Sequence, residues 1–140
     1  MKNIIVTTSV KTNSELNEKA QRLADDLRLK YKMRNKKTIK QLLSSSDGVL
    51  VVYKNKLSYF EDNSEFFFHL DTTALKIKNS DNEPLVEIIK EEKQNILDCT
   101  MGLAGDSILL SYYGHNVTSL EKNNIIYLIT TNGLENYISS

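Results

Sequence analysis

The sequence predicts an α/β fold: an amino-terminal α+β region over residues 1–82, followed over residues 83–140 by the opening strand–helix–strand–helix run of a parallel sheet. Three observations predict it. The first half mixes short β-branched and aromatic runs with two apolar helical stripes. The single proline, Pro84, follows the polar cluster Ser80-Asp81-Asn82-Glu83 and marks a boundary. Beyond it, strand and helix patterns alternate at the lengths of βα units.

In chain order, Asn3–Ser9 reads as a strand with the β-branched centre Ile4-Ile5-Val6-Thr7. Thr12 and Glu15 have capping-box spacing, and Leu16, Ala20, Leu23 and Leu27 then recur at helical spacing. Thr38 and Gln41 repeat that spacing ahead of a shorter helix through Ile39, Leu42 and Leu43. Asp47-Gly48 is a turn signal. Val49–Tyr53 and Leu57–Phe60 read as strands joined by Lys54-Asn55-Lys56, and a further strand is expected over Phe66–Leu70. Pro84 is placed to start a helix over Leu85, Ile88 and Ile89. Gln94–Cys99 and His115–Glu121 read as strands, Gly105–Tyr113 and Asn124–Ile138 as helices.

Composition narrows the function. A chain of 140 residues suggests one domain by length. Lys plus Arg and Asp plus Glu both number 18, which excludes a globally basic nucleic-acid binder and leaves room for a local patch. The one cysteine, Cys99, permits no internal disulfide and fits a reducing cytoplasm. Met1–Thr8 holds only three consecutive apolar residues, too few for a signal peptide. No run approaches the ~18 apolar residues that cross a bilayer. A cytoplasmic protein with no membrane partner is expected. Two histidines and one cysteine argue against zinc, so no metal site is expected.

The stretch that carries chemistry is Asn95–Asp106. An apolar strand ends in Asp98, a loop of small residues follows, and a helix starts at Gly105. Such a loop lets a ligand approach the backbone at the carboxyl end of a strand, beside the free amides of a helix start. The next strand also ends in a carboxylate, Glu121, 23 residues after Asp98. That is about the spacing at which an acidic residue accepts hydrogen bonds from both hydroxyls of an adenosine ribose. A dinucleotide fingerprint needs Gly-x-Gly-x-x-Gly, and here its positions hold Thr100, Gly102 and Gly105. Asp98 and Asp106 surround the loop with negative charge, unfavourable for a pyrophosphate and suited to the sulfonium and ammonium groups of S-adenosylmethionine. The electrostatics favour that methyl donor over NAD; a NAD-type oxidoreductase is the alternative enzyme. The plainest reading is a tight turn with no ligand.

From Leu97 through Asp106, and on through Gly114, Val117-Thr118 and Leu120-Glu121-Lys122, the chain resembles the cofactor motif of the ribosomal small-subunit guanine-N2 methyltransferase family. More widely, Ile4-Val6-Thr7-Thr8-Ser9, Arg34-Asn35-Lys36 and Phe66-Phe67-Phe68-His69 resemble an uncharacterised bacterial branch of the same superfamily. The resemblance implies the first βαβα part of a Rossmann-like methyltransferase sheet. It implies cofactor contacts from Gly105 and Asp106 and from Glu121 and Lys122, with Glu121 on the ribose. Asp98 and Gly102 complete the expected cofactor set. Family members have Gly-Arg ahead of the aspartate where this chain has Ala104-Gly105, which removes one side-chain contact. They also run on with an Asp-Pro-containing motif that supports the target base, and no such motif is present here. A truncated chain holding the cofactor-binding front end, inactive alone, is therefore expected, with RNA as substrate and ribosomal guanine N2 among the targets. Its catalytic residues are not assigned. An open sheet edge suggests a homodimer.

A second constellation is basic. Arg28–Lys40 holds seven positive charges in 13 residues and no acid, with Tyr31 among them. The ordinary reading is a solvated loop and helix face, preferred on composition alone. The same run suits phosphate neutralisation with one stacking aromatic, and Arg34, Lys36 and Lys37 are the candidate RNA contacts. A non-catalytic RNA-binding module built on this half is the other alternative. Phe66–His69 reads as a mostly buried strand, with lining of the site as a lesser option. Cys99 reads as a small residue filling the turn, and His115 as a surface residue.

Overall fold

The computed structural model describes residues 2–69, 74, 77, 84–85, 89 and 93–139. It is a mixed α/β structure, as predicted, and its contacts divide it into two compact units: residues 1–68 with 132–140, and residues 69–131.

The first unit is built on a five-stranded sheet. Its strands are β1 (Ile4–Thr8), β2 (Lys30–Tyr31), β3 (Gly48–Val52), β4 (Leu57–Glu61) and β5 (Ser64–Phe67), in the order β2-β1-β3-β4-β5. β1 pairs in parallel with both β2 and β3, while β4 and β5 add antiparallel. Every residue of β3 is buried, as a strand covered on both faces requires, and this explains its unbroken Val49-Leu50-Val51-Val52 run. One face, through Ile5, Val49 and Val51, packs against Leu42 of α2 (Ile39–Leu43). Val6, Leu50 and Val52 point the other way and are fully buried. The crossover from β1 to β2 runs through α1 (Ser14–Leu27), which packs on both strands and buries Ala20 and Ala24. Each fully buried aliphatic side chain here contributes about 1.5–3 kcal/mol.

Local chemistry sets the helix starts. The Thr38–Gln41 capping box forms in full: the Gln41 amide donates to Thr38 Oγ1 (3.1 Å) and the Thr38 amide to Gln41 Oε1 (2.9 Å). The box expected at Thr12 and Glu15 does not. Asn13, one residue later, is the cap, its Oδ1 accepting from the Leu16 amide at 2.8 Å, while Thr12 Oγ1 donates to Asn17 Oδ1. Asparagine is at least as good a cap as threonine, so the helix starts one residue further on. Arg28 ends α1 in the left-handed region with its amide on Ala24 and Asp25 carbonyls.

Two other strands differ from expectation. The two-residue β2 is too short to leave an alternating pattern. β5 begins at Ser64, two residues before the aromatic run, because Asp62-Asn63 makes the turn from β4. Phe66 is then exposed on this edge strand and stacks on Tyr59; Phe67 and Phe68 are half-buried and His69 is exposed. Leu70 lies outside the described residues, as do Ser80–Glu83 and Ile88. Pro84 and Leu85 are helical, and the Ile89 amide donates to the Leu85 carbonyl at 3.2 Å.

The second unit carries β6 (Asn95–Asp98) and β7 (Asn116–Ser119), paired in parallel, with α3 (Gly105–Tyr112) between them; α4 (Asn124–Ser139) follows and belongs to this unit up to Thr131. His115 is not a surface residue: it is 8% exposed, and its Nδ1 accepts from the Gln94 amide at 3.0 Å, fastening the start of β6. Among the described residues, no helix is long and apolar enough to cross a membrane.

Candidate functional site

The parallel pairing of β6 and β7 sets Asp98 opposite Ser119, so the loops after both strands leave from the same end. Pairing continues past the strand ends: the Leu120 amide donates to the Asp98 carbonyl (2.7 Å) and the Met101 amide to the Leu120 carbonyl (2.9 Å). Both loops are thereby held side by side. Asp98 accepts from the Thr100 amide on Oδ1 (3.2 Å) and from Ser107 Oγ on Oδ2 (2.5 Å). The buried Ser107 hydroxyl is also 2.6 Å from Ser119 Oγ. Asp98 therefore fastens the strand end to its own loop and, through Ser107, to α3 and β7.

The loop between β6 and α3 turns through two left-handed residues, Gly102 (φ 53°) and Ala104 (φ 64°). A Cβ at Gly102 would meet nothing within 4 Å, so glycine serves the backbone turn and leaves open space in front of it. Its amide donates to Glu121 Oε1 at 3.1 Å, and its carbonyl accepts from Oγ1 of the fully buried Thr130 of α4 at 2.6 Å. Glu121 Oε2 takes the Asn123 amide at 2.8 Å. The Glu121 carboxylate thus lies against the glycine loop, reached from the neighbouring strand.

Does this arrangement fit a nucleoside with a positively charged side chain? An ionised carboxylate offers about four acceptor positions, and Glu121 uses one on each oxygen for a loop amide, leaving one on each for a ribose diol. Ala104, the N-cap of α3, has no side chain with which to cap the first turn. Asp98, Asp106 and Glu121 set three carboxylates around the loop against one lysine, Lys122. That charge balance disfavours a pyrophosphate and suits a sulfonium with an ammonium. The residues fit S-adenosylmethionine.

Of the residues singled out from sequence, the structure brings Asp98, Gly102 and Glu121 into one hydrogen-bonded loop cluster. Gly105 opens α3, and Asp106 stands exposed in its first turn. Lys122 is exposed beside Glu121. Ser107, Ser119 and Thr130 were not legible: a serine or threonine in a strand or helix carries no signal until the fold brings its partner. Cys99 does not fill the turn but is exposed. Among the described residues, no group of His, Cys, Asp and Glu is arranged to hold a metal.

The basic residues lie in the first unit, in the segment after β2. Lys36 and Lys37 are exposed. Arg34 is 7% exposed, with Nε donated to the Lys37 carbonyl (2.6 Å) and Nη1 to the Thr8 carbonyl (3.0 Å). Burial lowers its pKa, with an opposing effect from Tyr53.

Residues 26–139 match the family profile described as "Putative SAM-dependent methyltransferase". The chain is 31% identical over 142 aligned residues to the uncharacterised protein YpiP of Bacillus subtilis, covering 95% of this chain and 55% of that one. It is 29% identical over 96 residues to ribosomal RNA small subunit methyltransferase J of Francisella tularensis, covering 69% of this chain and 39% of that protein. It therefore spans about half, or less, of the length of these relatives. In fold it is similar to the SAM-dependent methyltransferase NGO1261 of Neisseria gonorrhoeae, with a TM-score of 0.68 at 15% identity over 98% of this chain and 53% of that one. The chain belongs to this S-adenosylmethionine-dependent methyltransferase family.

Proposed function

We propose that this chain carries the cofactor-binding front end of a methyltransferase that transfers the methyl group of S-adenosylmethionine to RNA, with guanine N2 of ribosomal RNA as the target class. The observation that carries the cofactor half is the Glu121 carboxylate lying 3.1 Å from the Gly102 amide across two adjacent parallel strand ends. In this reading Glu121 holds the ribose. Gly102 and Gly105 let the nucleoside approach the backbone, and Asp98 keeps the loop in shape through Thr100 and Ser107. Asp106 and Lys122 contact the cofactor from the helix start and the second strand end. The cofactor, when bound, supplies an electrophilic methyl on its sulfonium, and the protein supplies binding and orientation.

Two observations support RNA. One relative is named as a ribosomal RNA methyltransferase. Lys36 and Lys37 project, exposed, from a segment without acids. The functional boundary between a substrate-gripping amino-terminal region and the cofactor segment is proposed at residues 82/83, on the composition break ahead of Pro84.

Calorimetric titration with S-adenosylhomocysteine tests the cofactor half. The folded chain is expected to bind, and Glu121→Ala to lose most of that affinity. A folded chain without affinity overturns the front-end reading. Methylation of small-subunit ribosomal RNA by the whole protein, mapped to the modified base, tests the substrate half.

A further inference from the structure

The first sheet has a strand-order reversal of its own. The chain leaves β1 for β2 on one side and returns to β3 on the other, giving the order β2-β1-β3. In open α/β sheets the crevice beyond the carboxyl ends at such a reversal is where ligands bind. Here it is bordered by Ser9–Asn13 after β1, by Lys32–Lys37 after β2 and by Tyr53 after β3, and α1 starts beside it.

One charge here lacks a counter-ion among the described residues. Arg34 is more than nine-tenths buried, yet its two acceptors, the carbonyls of Thr8 and Lys37, are both neutral. No carboxylate pairs with it among the described residues; Tyr53 is the ionisable group that acts on it, and its phenol is uncharged at ordinary pH. A guanidinium does not shed its proton in a protein, so burial leaves a positive charge facing only dipoles. Buried charges are ordinarily paired, and an unpaired one is costly. Three of the five guanidinium N–H groups remain for an anion. A solvated face explains the exposed lysines of this segment but not a buried arginine. The loop itself makes a tight turn through two consecutive left-handed residues, Asn35 (φ 47°) and Lys36 (φ 57°), closed by the Lys37 amide on the Arg34 carbonyl (3.0 Å). Residues 1–68 hold 13 of the 18 basic residues and 8 of the 18 acidic ones, so the surroundings are cationic as well.

We infer that this crevice is a phosphodiester site. The Arg34 fork takes one backbone phosphate of RNA, and Lys36 and Lys37 neutralise its neighbours; the assignment rests on RNA as the substrate. Arg34 is the fixed anchor because its stem and two of its N–H groups are already held, which leaves little rotamer entropy to lose on binding.

The test is fluorescence anisotropy of the whole chain with a short labelled oligoribonucleotide across a salt series. For a single strand, the slope of log K against log salt is about −0.7 per phosphate neutralised. Arg34→Gln is expected to weaken binding about tenfold and to flatten the slope by about 0.7. Lys36→Gln with Lys37→Gln is expected to flatten it by about 1.4. A folded Arg34→Gln chain with unchanged affinity and slope overturns the site. Should that variant not fold, the parent chain decides. Its Arg34 guanidinium NMR signals are expected to move saturably with RNA; signals that ignore RNA, or that move instead with an acidic peptide, overturn the site. S-adenosylhomocysteine binding is read separately: a chain that binds this ligand but not RNA loses the phosphodiester site and keeps the cofactor site.

Discussion

Removing the Glu121 carboxylate gives the sharpest prediction. Glu121→Ala deletes two hydrogen bonds that hold the loops after β6 and β7, from Gly102 at 3.1 Å and from Asn123 at 2.8 Å. It also deletes the acceptors proposed for the ribose. Hydrogen bonds to a charged group contribute about 1.5–3 kcal/mol each. If the ribose pair acts as one such contact, the dissociation constant for S-adenosylhomocysteine rises roughly 10- to 150-fold. A loosened Gly102 loop raises it further. Thr130→Ala separates the two effects. It leaves Glu121 in place and removes only the bond to the Gly102 carbonyl, a neutral pair of about 1 kcal/mol, so a roughly fivefold loss is expected. Calorimetry on both variants, with circular dichroism melts to verify folding, makes the comparison. A folded Glu121→Ala chain that binds within twofold of the parent would refute the assignment of the ribose to this carboxylate.

Three further outcomes test the packing. Thr38→Ala removes the side-chain half of a complete capping box and is expected to cost about 1 kcal/mol in a urea melt. Thr7 is fully buried in β1, and its Oγ1 has no hydrogen-bond partner among the described residues. Thr7→Val is therefore expected to stabilise by about 1 kcal/mol, and a destabilised variant would show that the hydroxyl is satisfied in solution. Tyr53 and Tyr59 have raised pKa values, mainly through burial, with Glu65 adding at Tyr53 and Glu61 at Tyr59. A raised folded pKa contributes stability that is complete below the unfolded value of about 10 and is lost as pH rises through the folded value. Ultraviolet titration should show Tyr53 and Tyr59 ionising above the ordinary tyrosine value, with stability falling over the same alkaline range.

The strand and helix framework was legible where one local signal dominates. β3 follows from four consecutive buried aliphatics, and α2 from a capping box that forms as written. At α1 two good caps are adjacent, and no rule of spacing chooses between Thr12 and Asn13; the hydrogen bond from Leu16 does. β2 depends on its parallel pairing with β1, Ile5 with Lys30 and Val6 with Tyr31, which no local pattern encodes. His115 was misplaced for a related reason. A histidine opening a strand looks exposed until Gln94, 21 residues earlier, offers its amide. In the candidate site, the spacing of Asp98 and Glu121 was legible, but the division of their work was not. Asp98 accepts from its own loop and from the Ser107 hydroxyl of α3, whereas Glu121 accepts from Asn123 of its own loop and reaches across to the Gly102 amide of the neighbouring one.

A net charge of zero also hid an electrostatic pattern. The excess of basic residues in 1–68 is matched by an excess of acidic ones in 69–140. The segment after β2 carries Lys32, Arg34, Lys36 and Lys37, and the loops after β6 and β7 carry Asp98, Asp106 and Glu121. A polyanionic substrate and a cationic cofactor each need a surface of the opposite sign, and each is repelled by the surface that suits the other. On the proposed assignments, segregating the charges along the chain would sort the two ligands before any contact forms. At ionic strengths where the Debye length falls to a few ångströms, the sorting of RNA between exposed surfaces should fade. The direct phosphate contacts weaken by counterion release instead, Arg34 and each lysine alike at a slope of about −0.7 per phosphate neutralised.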